Sequence, residues 1–192
     1  EQDLALSNYL QQAYKTRDIA VARQATLLAR HLQAGQATLD AAMLWEDLEP
    51  DNPEPVYLVG QYLIAARSLD QALLRSERLL ALDAQTLFVP IAVAARDASD
   101  EQRAALYQRF TALASSPTNE IDLLLGLAIL QEQHGDYVAS LANIHKAQSI
   151  DKQDIQARLF EVDVLYKSGR ADKAIKRMSG IVADNEDNER LR

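Results

Sequence analysis

Apolar residues recur at mixed three- and four-residue spacings along most of the chain, as they do on a helix with one buried face. The clearest stretch runs from Leu124 to Ile150, where an apolar helical segment is followed by a Gly-Asp-Tyr turn at Gly135 and a second helical segment. This is one antiparallel helix pair. Gly135 is echoed by Gly169 and Ala147 by Ile181, in both cases 34 residues on. The same step places unit starts at Ile19, Pro53, Leu87, Ile121 and Ile155. A fixed period of this length marks an array of helical repeats. Helices are expected near 18–32, 37–48, 53–66, 69–82, 86–97, 100–114, 119–133, 137–149, 154–167 and 171–184. An eleventh precedes them, because Leu4, Leu6, Tyr9, Leu10 and Ala13 also keep amphipathic spacing. No segment has the alternating pattern or β-branched density of a strand.

Aligned on this period, the units carry mostly small residues at the eighth place: Thr26, Gly60, Ala94, Ala128 and Val162. The twentieth place holds Thr38, Ala72, Leu106, Ser140 and Ala174. The twenty-fourth and twenty-seventh hold Ala42 and Trp45, Ser76 and Leu79, Phe110 and Leu113, Ile144 and Ala147, and Met178 and Ile181. The chain thus resembles the tetratricopeptide repeat (TPR) family, a 34-residue helix-turn-helix with small or aromatic residues at set places. That resemblance implies an all-α, right-handed superhelical α-solenoid of antiparallel helix pairs. It would be a single array over 1–192: a second helix of a truncated repeat in 1–18, repeats at 19–52, 53–86, 87–120, 121–154 and 155–188, and the start of another at 189–192. The family's proline at the thirty-second place survives only as Pro50. The third unit departs furthest, with Asp97 at the place of the usual aromatic, Pro90 early in its helix and no turn glycine.

Composition narrows the picture. With 48% hydrophobic and 25% charged residues, the chain can bury a substantial core. Pro53, Pro55, Pro90 and Pro117 fall near expected helix boundaries, where a fixed backbone angle costs least. Asp100 and Asn119 are expected helix-start signals, and the DNPEP stretch at 51–55 is the clearest turn. A net charge of −8, with basic residues scattered among acidic ones, opposes nucleic acid as a partner. The longest apolar runs, Leu87 to Ala95 and Leu123 to Leu130, fall short of the roughly 20 residues a membrane span needs. The absence of cysteine removes disulfide and thiolate chemistry without choosing a compartment.

From Leu4 to Glu54, the strings YLQQAYKTRD and LWEDLEPDNPE also resemble envelope-associated repeat lipoproteins of Gram-negative bacteria. Some relatives in that group are adaptors that bring cell-wall hydrolases to a carboxyl-terminal processing protease. The resemblance implies a periplasmic or outer-membrane-associated scaffold with such partners. The lipid-attachment cysteine of those proteins has no counterpart in this sequence.

Residues that carry chemistry are sparse. His31, His134 and His145 read as surface or capping histidines rather than metal ligands, with His134 just before the turn glycine. No phosphate loop, nucleophile elbow or dinucleotide fingerprint is present, so no cofactor and no enzymatic activity are expected. Glu46 and Asp47, like Glu186 and Asp187, read as neighbouring acids on solvated helix faces.

What remains is surface. In stacked helix pairs the first helices line one face, and such arrays bind partners there. The corresponding places point to Tyr57, Gln61, Ile64, Phe88, Ile91, Leu125, Ile129, Leu159 and Tyr166 as a groove for a protein or extended peptide. The Lys and Asn set with which chaperone-binding relatives hold a terminal carboxylate has no counterpart, since Arg23 and Leu27 and then Tyr57, Ile91, Leu125 and Leu159 stand at its places. Two readings stay open for the apolar groove. It takes a partner, or it packs within a larger or self-associating array.

Overall fold

A computed structural model describes residues 2–116 and 118–184, with the side chains of residues 2 and 3 excepted. Pro117, the acidic pair at 186 and 187, and the expected further repeat at 189–192 lie outside the described residues. Among the described residues there are eleven α-helices, one 3-10 turn and no strand. The chain divides into two compact units, Glu1–Leu87 and Phe88–Arg192. The boundary falls at the start of the expected third repeat.

The first unit comprises α1 (Gln2–Thr16), α2 (Ile19–His31), α3 (Gly35–Leu48), α4 (Pro53–Ala65) and α5 (Leu69–Ala81). Its helices pack in sequence, α2 on α3 and α4 on α5. The core around Trp45 is built from Ala13, Ala22, Ala25 and Ala41 with Leu44, so small side chains let the helices close on one large ring. Asn52 starts α4 by accepting a hydrogen bond from the Glu54 N–H, with Pro53 in the first turn, where it has no N–H to waste. Glu46 is a correction to the sequence reading. It is buried rather than solvated, and ion pairs to Arg75 (3.3 Å) and Arg78 (3.2 Å) tie α3 to α5.

The second unit comprises α6 (Phe88–Ala94), a 3-10 turn (Ala95–Asp97), α7 (Asp100–Leu113), α8 (Ile121–Gln133), α9 (Tyr137–Ile150), α10 (Ile155–Lys167) and α11 (Ala171–Asp184). The helix starts differ from expectation in two places. Ser99, not Asp100, caps α7, in a reciprocal pair with Gln102, and the cap position of α8 is held by Glu120 rather than Asn119, with no side-chain cap hydrogen bond.

The turn between paired helices has one backbone form wherever the repeat is regular. Gln33, Arg67, Gly135 and Gly169, at steps of 34 or multiples of it, all have positive φ, from 55° to 78°. The residue after each donates back to the carbonyl five residues earlier: Ala34 to Ala29, Ser68 to Leu63, Asp136 to Gln131 and Arg170 to Leu165, each at 2.9 Å. This closes the last turn of the first helix by satisfying a carbonyl that would otherwise be orphaned. Two units use glycine there, and two hold an ordinary residue at a place where a Cβ is strained.

Core places follow the period. Thr38, Ala72, Leu106, Ser140 and Ala174 are all buried, as are Trp45, Leu79, Ala147 and Ile181 at the twenty-seventh place, where Leu113 of the third unit is half-buried. In the fourth repeat the Ser140 hydroxyl donates to the Ala128 carbonyl at 2.8 Å, joining the twentieth place directly to the eighth.

Candidate functional site

Of the nine expected groove residues, the structure removes three from any surface. Phe88 and Ile91 are fully buried and Leu125 is 1% exposed. The reason is the course of α6. This helix has seven residues and packs chiefly against α8 rather than closing a tight hairpin with α7. Gly126 permits the approach: a Cβ there would stand 3.0 Å from both the carbonyl carbon and oxygen of Phe88 and 2.8 Å from the Phe110 ring. Phe88 turns inward and meets Phe110 edge to face, with centroids 5.4 Å apart. Asp122 of α8 then caps α6 across the repeat, accepting from the Phe88 N–H at 2.7 Å and the Val89 N–H at 3.3 Å.

Because α6 buries Phe88 and Ile91, it turns Pro90 and Val93 outward, and Val93 is 49% exposed. Val93, Ile129 and Phe160 line a narrow cleft floored by Ile144 and Ser140, with a volume of about 50 Å³. Ile129, though 7% exposed, is therefore the one buried groove residue that still reaches an opening. First helices α6, α8 and α10 form the walls, and α9 forms the floor.

The rim of this cleft is charged and interlocked. Glu132 receives Lys167 at 2.9 Å and Arg96 at 3.7 Å, and Lys167 also pairs with Asp163 at 2.7 Å. Partial burial works against the Lys167 ammonium, but its hydrogen bonds and charge contacts with Asp163 and Glu132 outweigh it and raise its pKa. The rim thus holds Lys167 as the ammonium and sets donors and acceptors beside an apolar slot. Leu159 is half-buried on α10 and Tyr166 is 68% exposed near its end.

In the first unit, Tyr57 and Ile64 are half-buried and Gln61 is exposed on α4. A wider hollow there, of about 630 Å³, is bordered by Asp18, Arg23, Leu27 and Glu49. The Arg23 guanidinium lies 5.6 Å over the Trp45 ring. Trp45 and Asn52 donate to the Glu49 carboxylate, which lowers its pKa.

Among the described residues, no three metal-ligating side chains converge. No helix of the described chain is long and apolar enough to cross a membrane. His134 stands at the C-cap of α8, its ring 5.2 Å from Tyr107, and His145 faces Glu161 at 3.5 Å. Sequence reasoning missed Val93, Phe160, Arg96 and Lys167. For Val93 and Arg96 the available signal was the irregular third unit, with Pro90 early in its helix and Asp97 at the place of the usual aromatic.

Residues 131–192 match the family model described as tetratricopeptide repeat. Over 190 residues the chain is 30% identical to TPR repeat-containing protein PA4667 of Pseudomonas aeruginosa, an alignment covering 99% of this chain and 32% of that protein. Together these support the TPR family. The chain spans about a third of the length of that curated relative. Among solved structures it is similar to PilW, described as a type IV pilus biogenesis factor, with a TM-score of 0.58 and 13% identity over 97% of this chain and 95% of that one. MamA from Desulfovibrio magneticus RS-1 gives 0.58 and 12%, covering 89% and 97%. YrrB, described as a TPR protein with an unusual peptide-binding site, gives 0.52 and 12%, covering 95% and 94%. At these identities the likeness is one of fold: an all-helical TPR solenoid.

Proposed function

We propose that the chain is a non-enzymatic interaction scaffold that holds an extended segment of a partner protein against α6, α8 and α10. The observation that carries this reading is the cleft between Val93, Ile129 and Phe160. Its volume of about 50 Å³, against roughly 30 Å³ for a water molecule in the liquid, suits the tip of one aliphatic side chain. Around it, Glu132 and Asp163 can accept backbone N–H groups and Arg96 and Lys167 can donate to carbonyls, so an extended chain is held by its backbone and selected by one side chain. The similarity in fold to YrrB, a TPR protein with an unusual peptide-binding site, is in keeping with this chemistry.

The finer reading makes the chain part of a periplasmic adaptor that presents a cell-wall hydrolase to a carboxyl-terminal processing protease. What supports it is the resemblance of YLQQAYKTRD and LWEDLEPDNPE to envelope repeat lipoproteins. Selection of random peptides displayed on phage tests the general reading. Enriched peptides should share a single aliphatic residue in an extended background and lose binding to Phe160→Ala. Enrichment of peptides that bind Phe160→Ala equally well would remove the cleft from the account. For the finer reading, co-purification of both enzymes with the full-length protein from a periplasmic extract is expected, and loss of neither partner on Phe160→Ala would contradict it.

A further inference from the structure

A second surface lies on the other side of the same unit, where α9, α10 and α11 border a hollow of about 520 Å³. Its character is unlike that of the whole chain, which carries a net charge of −8. Arg158, Arg170, Lys173, Lys176 and Arg177 all line it. Two of these are already paired: Arg177 Nε meets Glu161 at 2.7 Å, and Arg158 bonds Asp184. The other three are exposed and make no ion pair with a described residue. Leu141 and Leu165 supply apolar patches in the same hollow.

Gly180 adds an independent observation. It stands inside α11, where glycine weakens a helix, yet among the described residues no atom beyond its own turn of helix lies within 4 Å of where its Cβ would be. No close helix contact requires it. Its effect is to leave open the wall of the hollow that it lines.

We propose that this hollow is a docking surface for an acidic segment of a partner protein that carries an apolar side chain. Arg170, Lys173 and Lys176, with no ion pair to a described residue, supply the complementary charge, and the leucines take the apolar group. A nucleic acid fits less well, because the chain as a whole carries a net charge of −8 and a phosphate backbone has no apolar group for Leu141 and Leu165. This surface is separate from the cleft at Val93 and does not depend on it.

The test is fluorescence anisotropy with the 192-residue chain and a labelled peptide of sequence Glu-Glu-Leu-Glu-Glu-Leu-Glu-Glu at low ionic strength. Saturable binding is expected, weakened about tenfold or more by Lys173→Glu with Lys176→Glu, and falling with added salt. Gly180→Leu should block the hollow while its thermal melt stays cooperative, because nothing stands where the new side chain begins. Val93→Glu should leave this binding unchanged, which separates the two surfaces. The proposal is overturned by absence of saturable binding, by equal affinity in the lysine and glycine variants, or by tighter binding of an oligothymidylate or of phosphatidylserine vesicles through the same lysines.

Discussion

The hairpin of α8 and α9 and the stretch from α6 to α7 occupy equivalent places in the repeat, 34 residues apart, yet they are held by different means. In the fourth repeat, α8 turns at Gly135 in the left-handed region, and the bond from Asp136 to Gln131 closes the helix end. In the third, the equivalent residue is Glu101, already inside α7, and the left-handed turn is gone. A 3-10 turn and the Ser99 cap replace it, and α6 leans on its neighbour α8 through Gly126 and Asp122. The regular repeat is self-contained, whereas the irregular one borrows its start from the next. That borrowing turns Phe88 and Ile91 inward and Val93 outward, which makes the cleft.

The sharpest way to break this arrangement is Gly126→Ala. Its Cβ would press on the Phe88 backbone, which cannot rotate away, so a loss of about 2–3 kcal/mol is expected in urea unfolding. Gly60→Ala is the contrast. Its Cβ would come closest to the terminal methyl of the Leu87 side chain, at 2.4 Å, rather than to backbone, so it should cost less. Equal losses at the two positions would show that α6 is not seated on α8 as described.

Asp122→Ala comes next. It removes the acceptor for two N–H groups at the start of α6 and should cost about 1–2 kcal/mol, with faster amide exchange at Phe88 and Val89. Exchange confined to α8 would contradict the borrowed cap.

The regular turns predict opposite signs at equivalent places. Gly135→Ala forces a Cβ into a left-handed residue and should cost about 1 kcal/mol, whereas Gln33→Gly relieves the same strain and should stabilise by up to about 1 kcal/mol. Thermal melts of both variants check this, and a shift in the same direction for the pair would refute the shared turn.

The smallest effect is electrostatic. Burial alone would raise the Glu161 pKa, but hydrogen bonds from Gln148 and Arg177 and the charges of Arg177 and His145 outweigh it and lower it below the ordinary 4.5. A depressed carboxylate contributes stability above its unfolded pKa and loses it as pH falls through the folded value. The difference in stability between the native chain and Glu161→Gln should therefore be steady at neutral pH and shrink below about pH 4.5. A difference independent of pH would remove the charge from the explanation.

Much of the fold was legible in the sequence because periodic burial writes itself as periodic composition. The places of Thr38, Ala72, Ser140 and Trp45 follow from the 34-residue step, and helix boundaries from the same pattern and from turn residues such as Asn52 and Gly135. The site was less legible, since an apolar residue on a first helix looks the same whether it faces a groove or a neighbour. Phe88 and Leu125 could be assigned only once Gly126 was known to admit α6. Glu46 was misread for a related reason: its partners Arg75 and Arg78 are 29 and 32 residues away, and local sequence does not announce an ion pair across helices.

The most direct test of the central claim places a photo-crosslinking residue at Val93, in the cleft, and another at Gln108, exposed on α7. With a peptide selected on the native chain, crosslinking from position 93 and little from position 108 is the expected result. Equal crosslinking from both, or crosslinking from 108 alone, would show that the cleft between α6, α8 and α10 is not where this scaffold holds its partner.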